Sequence, residues 1–123
     1  MTALLVAVGG AGGALVRWGV DRAISARFAP AFPWGTFLVN VVASGLAGLL
    51  AGAGVRLADG GAWVGPLFGT GLAGALSTFS TFSYETMRLV EDGSWVAAVA
   101  NVAASVAAGL AAAGVGGWLG QHW

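Results

Sequence analysis

The sequence predicts an all-α membrane protein with four transmembrane helices, the third of them broken mid-membrane. Three observations carry that expectation. Hydrophobic residues make up 58% of the 123-residue chain and charged residues 8%, which is not the composition of a soluble domain. The few charges fall in patches, so residues 28–55, 60–84 and 93–123 contain no Asp, Glu, Lys or Arg, and each stretch exceeds the ~20 residues that cross the hydrocarbon core. Finally, the run before Glu85 holds a block for which a plain lipid-facing helix has no use, Ser77-Thr78-Phe79-Ser80-Thr81-Phe82-Ser83, behind Gly71 and Gly74. Ser and Thr draw hydrogen bonds away from the backbone ladder and glycine weakens it, so this helix is expected to break or bend near Gly74 to Thr78. Non-helical backbone at membrane depth is tolerated only inside protein or beside a cavity, so the block marks a polar site.

The chain reads as a single four-span membrane domain over residues 1–123, with spans at about 2–27, 34–55, 62–86 and 94–119. Residues 2–16 are apolar and then run into Arg17, Asp21 and Arg22 at helical spacing, with Arg17 and Asp21 one turn apart. The stretch has no positive n-region and its arginine follows the apolar part, so Met1 to Val16 is kept as mature structure rather than as a signal peptide. Gly9-Gly10-Ala11-Gly12-Gly13-Ala14 allows close helix packing. Arg17 has two readings, an interfacial arginine that snorkels to water or a group that attracts anions. Two prolines, Pro30 and Pro33, mark the first loop, and Trp34 suits the headgroup region.

Span two carries Thr36, Asn40 and Ser44 at i, i+4 and i+8, a series that drifts by about 40° per step and so shares one face. Asn40 is the informative member, because an amide in mid-membrane is costly unless a partner satisfies it. The plainer alternative is polar glue between helices. Arg56 to Gly61 forms the second loop, and span three passes Pro66 on its way to the hydroxyl block. Phe79 and Phe82 lie at i and i+3 on one side of that block, where their rings offer positively polarised edges as well as apolar faces. Glu85, Arg88, Glu91 and Asp92 make the third loop and the helix end before it, with Gly93 as a stop signal. Span four repeats the pattern of span two, Asn101 followed four residues later by Ser105 and then by Gly109, Ala113 and Gly117. The two polar stripes are expected to face the same kind of neighbour. His122 reads as a solvated interfacial residue.

The absence of cysteine removes disulfides and thiolate chemistry, and a net charge of zero gives no reason to expect a nucleic-acid partner. No nucleophile with a base, metal cluster or pair of carboxylates is assembled within a span, so the chain is not expected to be an enzyme. Glu85 is the one carboxylate near a span that could serve proton coupling. What remains is a lining of neutral donors, Asn40, Asn101, Thr36, Ser44, Ser105 and the hydroxyl block, which suits an anion better than a cation. Carbonyls released by a break near Gly74 to Ser77 would instead be acceptors, able to hold a cation. One short chain has too few walls to enclose a pore, so geometry calls for a homo-oligomer.

Three motifs in this order, Gly-Gly-x-x-Gly-Ala-x-x-Arg-Trp (Gly9 to Trp18), Gly-Thr-x-x-x-Asn (Gly35 to Asn40) and Gly-x-x-Gly-x-x-Ser-Thr-Phe-Ser-Thr-Phe-Ser-x-Glu (Gly71 to Glu85), resemble the Fluc (CrcB) fluoride channels over essentially the whole chain. The resemblance implies an antiparallel, dual-topology homodimer in the bacterial plasma membrane. Such a dimer has two pores that passively export cytoplasmic fluoride and a structural sodium ion on its two-fold axis. Carried over residue by residue, Phe79 and Phe82 resemble the pore phenylalanines and Asn40 the pore asparagine. Ser105 resembles the span-four hydroxyl of a polar track shared with Thr36, Ser44 and Thr81, and Arg17 the arginine near the vestibule. Gly74 and Ser77 match the positions whose backbone carbonyls hold the sodium. One position departs: where many members have a tyrosine in span four, this chain has Asn101. Arg22, Arg27 and Arg88 against Arg56 and the amino terminus give a small orientation bias by the positive-inside rule, which dual topology needs near zero and which so few charges easily offset.

Two rivals stand beside this expectation. A small dual-topology multidrug carrier would need an essential carboxylate in the membrane, and the apolar part of span one has none. A structural membrane subunit would use the Asn and Ser stripes as glue alone.

Overall fold

The computed structural model describes residues 1–27, 32–57 and 61–122, which contain helices joined by short connections and no strand. Ala29, Pro30 and Ala31 of the first loop, Ala58, Asp59 and Gly60 of the second, and Trp123 lie outside the described residues. In chain order the helices are α1 (Thr2–Arg27), α2 (Trp34–Leu57), a π-helix (Gly65–Ala73), the single turn α3 (Gly74–Leu76), α4 (Phe79–Glu91) and α5 (Trp95–His122). Three of them, within Thr2–Ile24, Trp34–Gly54 and Trp95–His122, are long and apolar enough to cross a bilayer. The remaining apolar stretch is divided among the π-helix, α3 and α4, so no single helix there has that length.

Close approach of backbones explains which helices pair. A Cβ on Gly48 or Gly52 of α2 would run into the carbonyls of Ala113 or Gly117 on α5. One on Gly116 or Gly120 of α5 would meet those of Gly45 or Leu49 on α2 in the same way. The small residues that continue both Asn–Ser stripes are therefore the surfaces along which α2 and α5 touch, and van der Waals packing holds them where lipid supplies no hydrophobic drive. Gly9 and Gly13 of α1 serve the same purpose against Leu67 of the π-helix and Leu72 near its end. Val39, Ala43 and Leu76 form a small apolar core where α2 meets α3, with Val20 of α1 packed on it.

The π-helix is the element that the spacing of residues does not announce. It is rich in glycine, with Pro66 in its first turn, where the missing N–H removes no helical bond. α4 extends to Glu91, which leaves Asp92 to Ser94 as the turn before α5. Gly93 adopts φ +78°, and the Ser94 N–H reaches back to the Leu89 carbonyl at 2.8 Å, a left-handed cap that side chains with a Cβ disfavour. The turn brings α5 back along α4 and carries Asn101 and Ser105 up to the broken segment.

Candidate functional site

Between α3 and α4 the backbone leaves the helix for two residues. Ser77 has φ −72° and ψ 149°, and Thr78 has φ −147° and ψ 120°, both extended. The break falls inside the interval expected from the hydroxyl and glycine content, and its hydrogen bonds explain how it is held. Asn40 of α2 accepts from the Thr78 N–H at 2.7 Å and donates through Nδ2 to the Thr78 carbonyl at 3.1 Å. One side-chain amide thus satisfies both backbone groups of a residue that is 8% exposed, where unpaired groups would be costly. Thr78 then caps α4: its hydroxyl oxygen accepts from the Thr81 N–H at 3.3 Å and the hydroxyl donates to Thr81 Oγ1 at 3.1 Å.

The clamp has a consequence upstream. In a continuous helix the Thr78 N–H would bond to the Gly74 carbonyl. Because Asn40 takes that donor, Gly74 O is left with the Ser77 hydroxyl at a long 3.4 Å. Gly74 and Ser77 both lie exposed on this face of the chain. The segment therefore presents carbonyl oxygens at the end of its first half and amide hydrogens at the start of its second, the negative and positive ends of two short helical stretches.

Beside the break lies an open groove of about 300 Å³ lined by Asn40, Ser44, Ser77, Thr78, Phe79, Phe82, Ser105 and Val106. Asn40 has two amide hydrogens, and Thr78 uses one of them. Ser44 donates to the Asn40 carbonyl at 2.8 Å and Ser105 to Asn101 Oδ1 at 3.3 Å. The rings of Phe79 and Phe82 stand 6.1 Å apart between centroids and are tilted by 42°. Phe79 is 80% exposed, so the groove is walled on one side only.

The structure brings Asn40, Ser44, Phe79, Phe82 and Ser105 around this one groove, with Ser77 at its edge. Thr81 stands one turn into α4, bonded to the capping Thr78. Thr36, 5% exposed, lies at the other end of its stripe, where its hydroxyl donates to Glu85 Oε1 at 2.9 Å while Oε2 is buried without a partner. Arg17 is half-buried on α1 and does not line the groove, while Arg22 stacks on Trp18 at 5.0 Å. Two participants were not distinguished by the sequence pattern. Thr78 was one hydroxyl among five, and Thr86, which joins Asn101 to the Phe82 carbonyl, lies beyond the block. The signal available for Thr86 is its place one turn after Phe82, where a Thr hydroxyl reaches the i−4 carbonyl.

A family model described as CrcB-like protein, Camphor Resistance (CrcB), matches residues 4–118. Among curated relatives, a protein of Frankia casuarinae named Fluoride-specific ion channel FluC 1 is 54% identical over 98% of this chain and 97% of its own length. One from Streptomyces avermitilis, with the same name, is 49% identical over 98% and 97% of the two chains. A third, from Syntrophotalea carbinolica, named Fluoride-specific ion channel FluC, is 44% identical over 99% of each.

Proposed function

The chain belongs to the CrcB-like family, whose relatives carry ion-channel rather than enzyme names, and on that premise we propose that it is a fluoride-selective channel. The observation that carries the proposal is the groove, where neutral polar groups and the rings of Phe79 and Phe82 gather at the positive end of α4. Fluoride is small and strongly hydrated, so a path for it must offer hydrogen atoms at short range in place of water. The second Asn40 hydrogen, the N–H groups at the start of α4 and the rings of Phe79 and Phe82 are such donors, and the Ser44, Ser77 and Ser105 hydroxyls join them by giving up their bonds to Asn40 O, Gly74 O and Asn101 Oδ1. Thr36 and Thr81 extend the polar face toward Glu85, and Arg17 attracts anions toward the mouth. No carboxylate lines the groove, which favours an anion channel over a carrier coupled to protons. Transport is passive, and an inside-negative potential of 100 mV favours exit of a monovalent anion by about 2.3 kcal/mol.

The proposed assembly is an antiparallel, dual-topology homodimer in the bacterial plasma membrane, with one fluoride path per chain. Its support is that each chain leaves the groove open and Phe79, Gly74 and Ser77 exposed, with only a long bond to the Gly74 carbonyl, and lipid cannot satisfy such a group. A structural sodium ion fits the break. Gly74 O has lost its helical donor to the Asn40 clamp, so the Gly74 and Ser77 carbonyls are the groups that would hold the ion, which would supply the missing positive partner. The π-helix, α3 and α4 together then make the third, broken span, and α5 the fourth.

The test is release of anions from liposomes loaded with potassium fluoride or potassium chloride, with valinomycin added to remove the voltage. Rapid fluoride release with chloride retained is expected. Retention of both anions by vesicles that contain folded protein would return the carrier or structural reading.

A further inference from the structure

Asn101 is 1% exposed, the largest side chain buried so completely among the described residues, and it stands one turn from the groove-lining Ser105 without lining the groove itself. Its amide orientation follows from one fixed acceptor. The Phe82 carbonyl can only accept, so Thr86 Oγ1, 2.8 Å away, gives its single proton there. The same oxygen then has only lone pairs for Asn101, which makes the neighbour at 2.8 Å the amide nitrogen Nδ2. Oδ1 is thereby turned to Ser105 and takes its proton at 3.3 Å. A directed chain of hydrogen bonds runs from the hydroxyl of the groove-lining Ser105 to the backbone of the groove-lining Phe82.

We propose that Asn101 is a positioning residue for the ion path, a role that rests on reading the groove as a route for fluoride. It holds the Ser105 proton in reserve and ties that proton to the placement of Phe82. With no anion present, the Ser105 hydrogen rests on Asn101 Oδ1 and its lone pairs face the groove. An arriving anion draws the hydrogen to itself by rotation about the Cβ–Oγ bond. The bond surrendered is long for its kind, so the exchange costs little. Oδ1 is then buried with one partner fewer, and that penalty returns the proton when the ion moves on. Weak capture with prompt release is what conduction requires.

Two substitutions outside the groove lining test this. Asn101→Leu removes the amide while keeping a side chain branched at Cγ, and Thr86→Val keeps the shape of its side chain but cuts the link to Phe82. Each is reconstituted as the dimer, verified by size-exclusion chromatography, and the initial rate of fluoride release is followed across fluoride concentrations. Each single variant is expected to slow release roughly tenfold, the scale of one hydrogen bond. The double variant should be no slower than either, because both break one chain. Wild-type release from folded Asn101→Leu, or losses that multiply in the double variant as two separate packing defects would, overturns the proposal. Should Asn101→Leu fail to fold, unchanged release from Thr86→Val overturns it alone. Absence of fluoride release from the wild-type chain would instead overturn the underlying reading of the groove.

Discussion

At Asn40 a single side chain stands in for a stretch of backbone, since its amide accepts from the Thr78 N–H and donates to the Thr78 carbonyl. Asn40→Leu should therefore orphan two backbone groups, at about 1–3 kcal/mol for each. The expected result is a lower melting temperature together with loss of fluoride flux. Asn40→Asp should keep the bond from the Thr78 N–H and lose the one to its carbonyl, and so fall between. Phe82 makes a different prediction, because its ring lines the groove but its backbone, not its ring, receives the hydrogen bond from Thr86. Phe82→Ile should abolish fluoride release while leaving the proposed dimer intact on size exclusion, and unchanged flux would remove ring edges from the mechanism. Asn40 and the Ser-Thr-Phe block were legible in the sequence because an amide and five hydroxyls in apolar runs have no use in lipid. That the amide would be spent on Thr78 was not legible, since the choice of partner depends on how α2 sits against the break. Thr86 was hidden for the same reason: a lone Thr on the polar side of a helix looks solvated until Asn101 is brought against it.

Among the helices, the pairing of α2 with α5 depends on glycine at positions where a methyl group has no room. Gly48→Ala should destabilise the protein although alanine is the better helix former by about 1 kcal/mol, because its Cβ would overlap the Ala113 carbonyl. Gly54→Ala on the same helix meets nothing within 4 Å and should be neutral or stabilising. Thermal unfolding of the two variants in one detergent decides the matter, and equal shifts would contradict the close approach. The long helices are readable from charge-free length alone, but the i+4 series predicts only that the two polar stripes face the same kind of neighbour, not that the small residues beyond them pack α2 on α5. The π-helix is not readable, because its glycines and Pro66 are equally compatible with an ordinary kinked helix. The wider coil packs on α1, where Gly9 and Gly13 let the two backbones approach. The break itself was foreseeable in position from its composition, but the two extended residues are fixed by a residue on another helix.

For the molecule as a whole, the single chain is an incomplete wall. The groove is open, Phe79 is 80% exposed, and the Gly74 and Ser77 face presents polar backbone groups that need a partner. The detergent-solubilised protein should accordingly have the mass of two chains by analytical ultracentrifugation, and a monomer that still conducts would contradict the proposed assembly. Removal of sodium should weaken that dimer if the released carbonyls hold the ion, with no effect expected from a site that only water fills. Whether the groove passes fluoride in preference to other ions can be read from the reversal potential in a planar bilayer with fluoride high on one side, chloride high on the other and potassium equal. Current should reverse at the potential set by the fluoride gradient alone. Reversal at zero, or at the opposite sign set by chloride, would contradict fluoride selectivity.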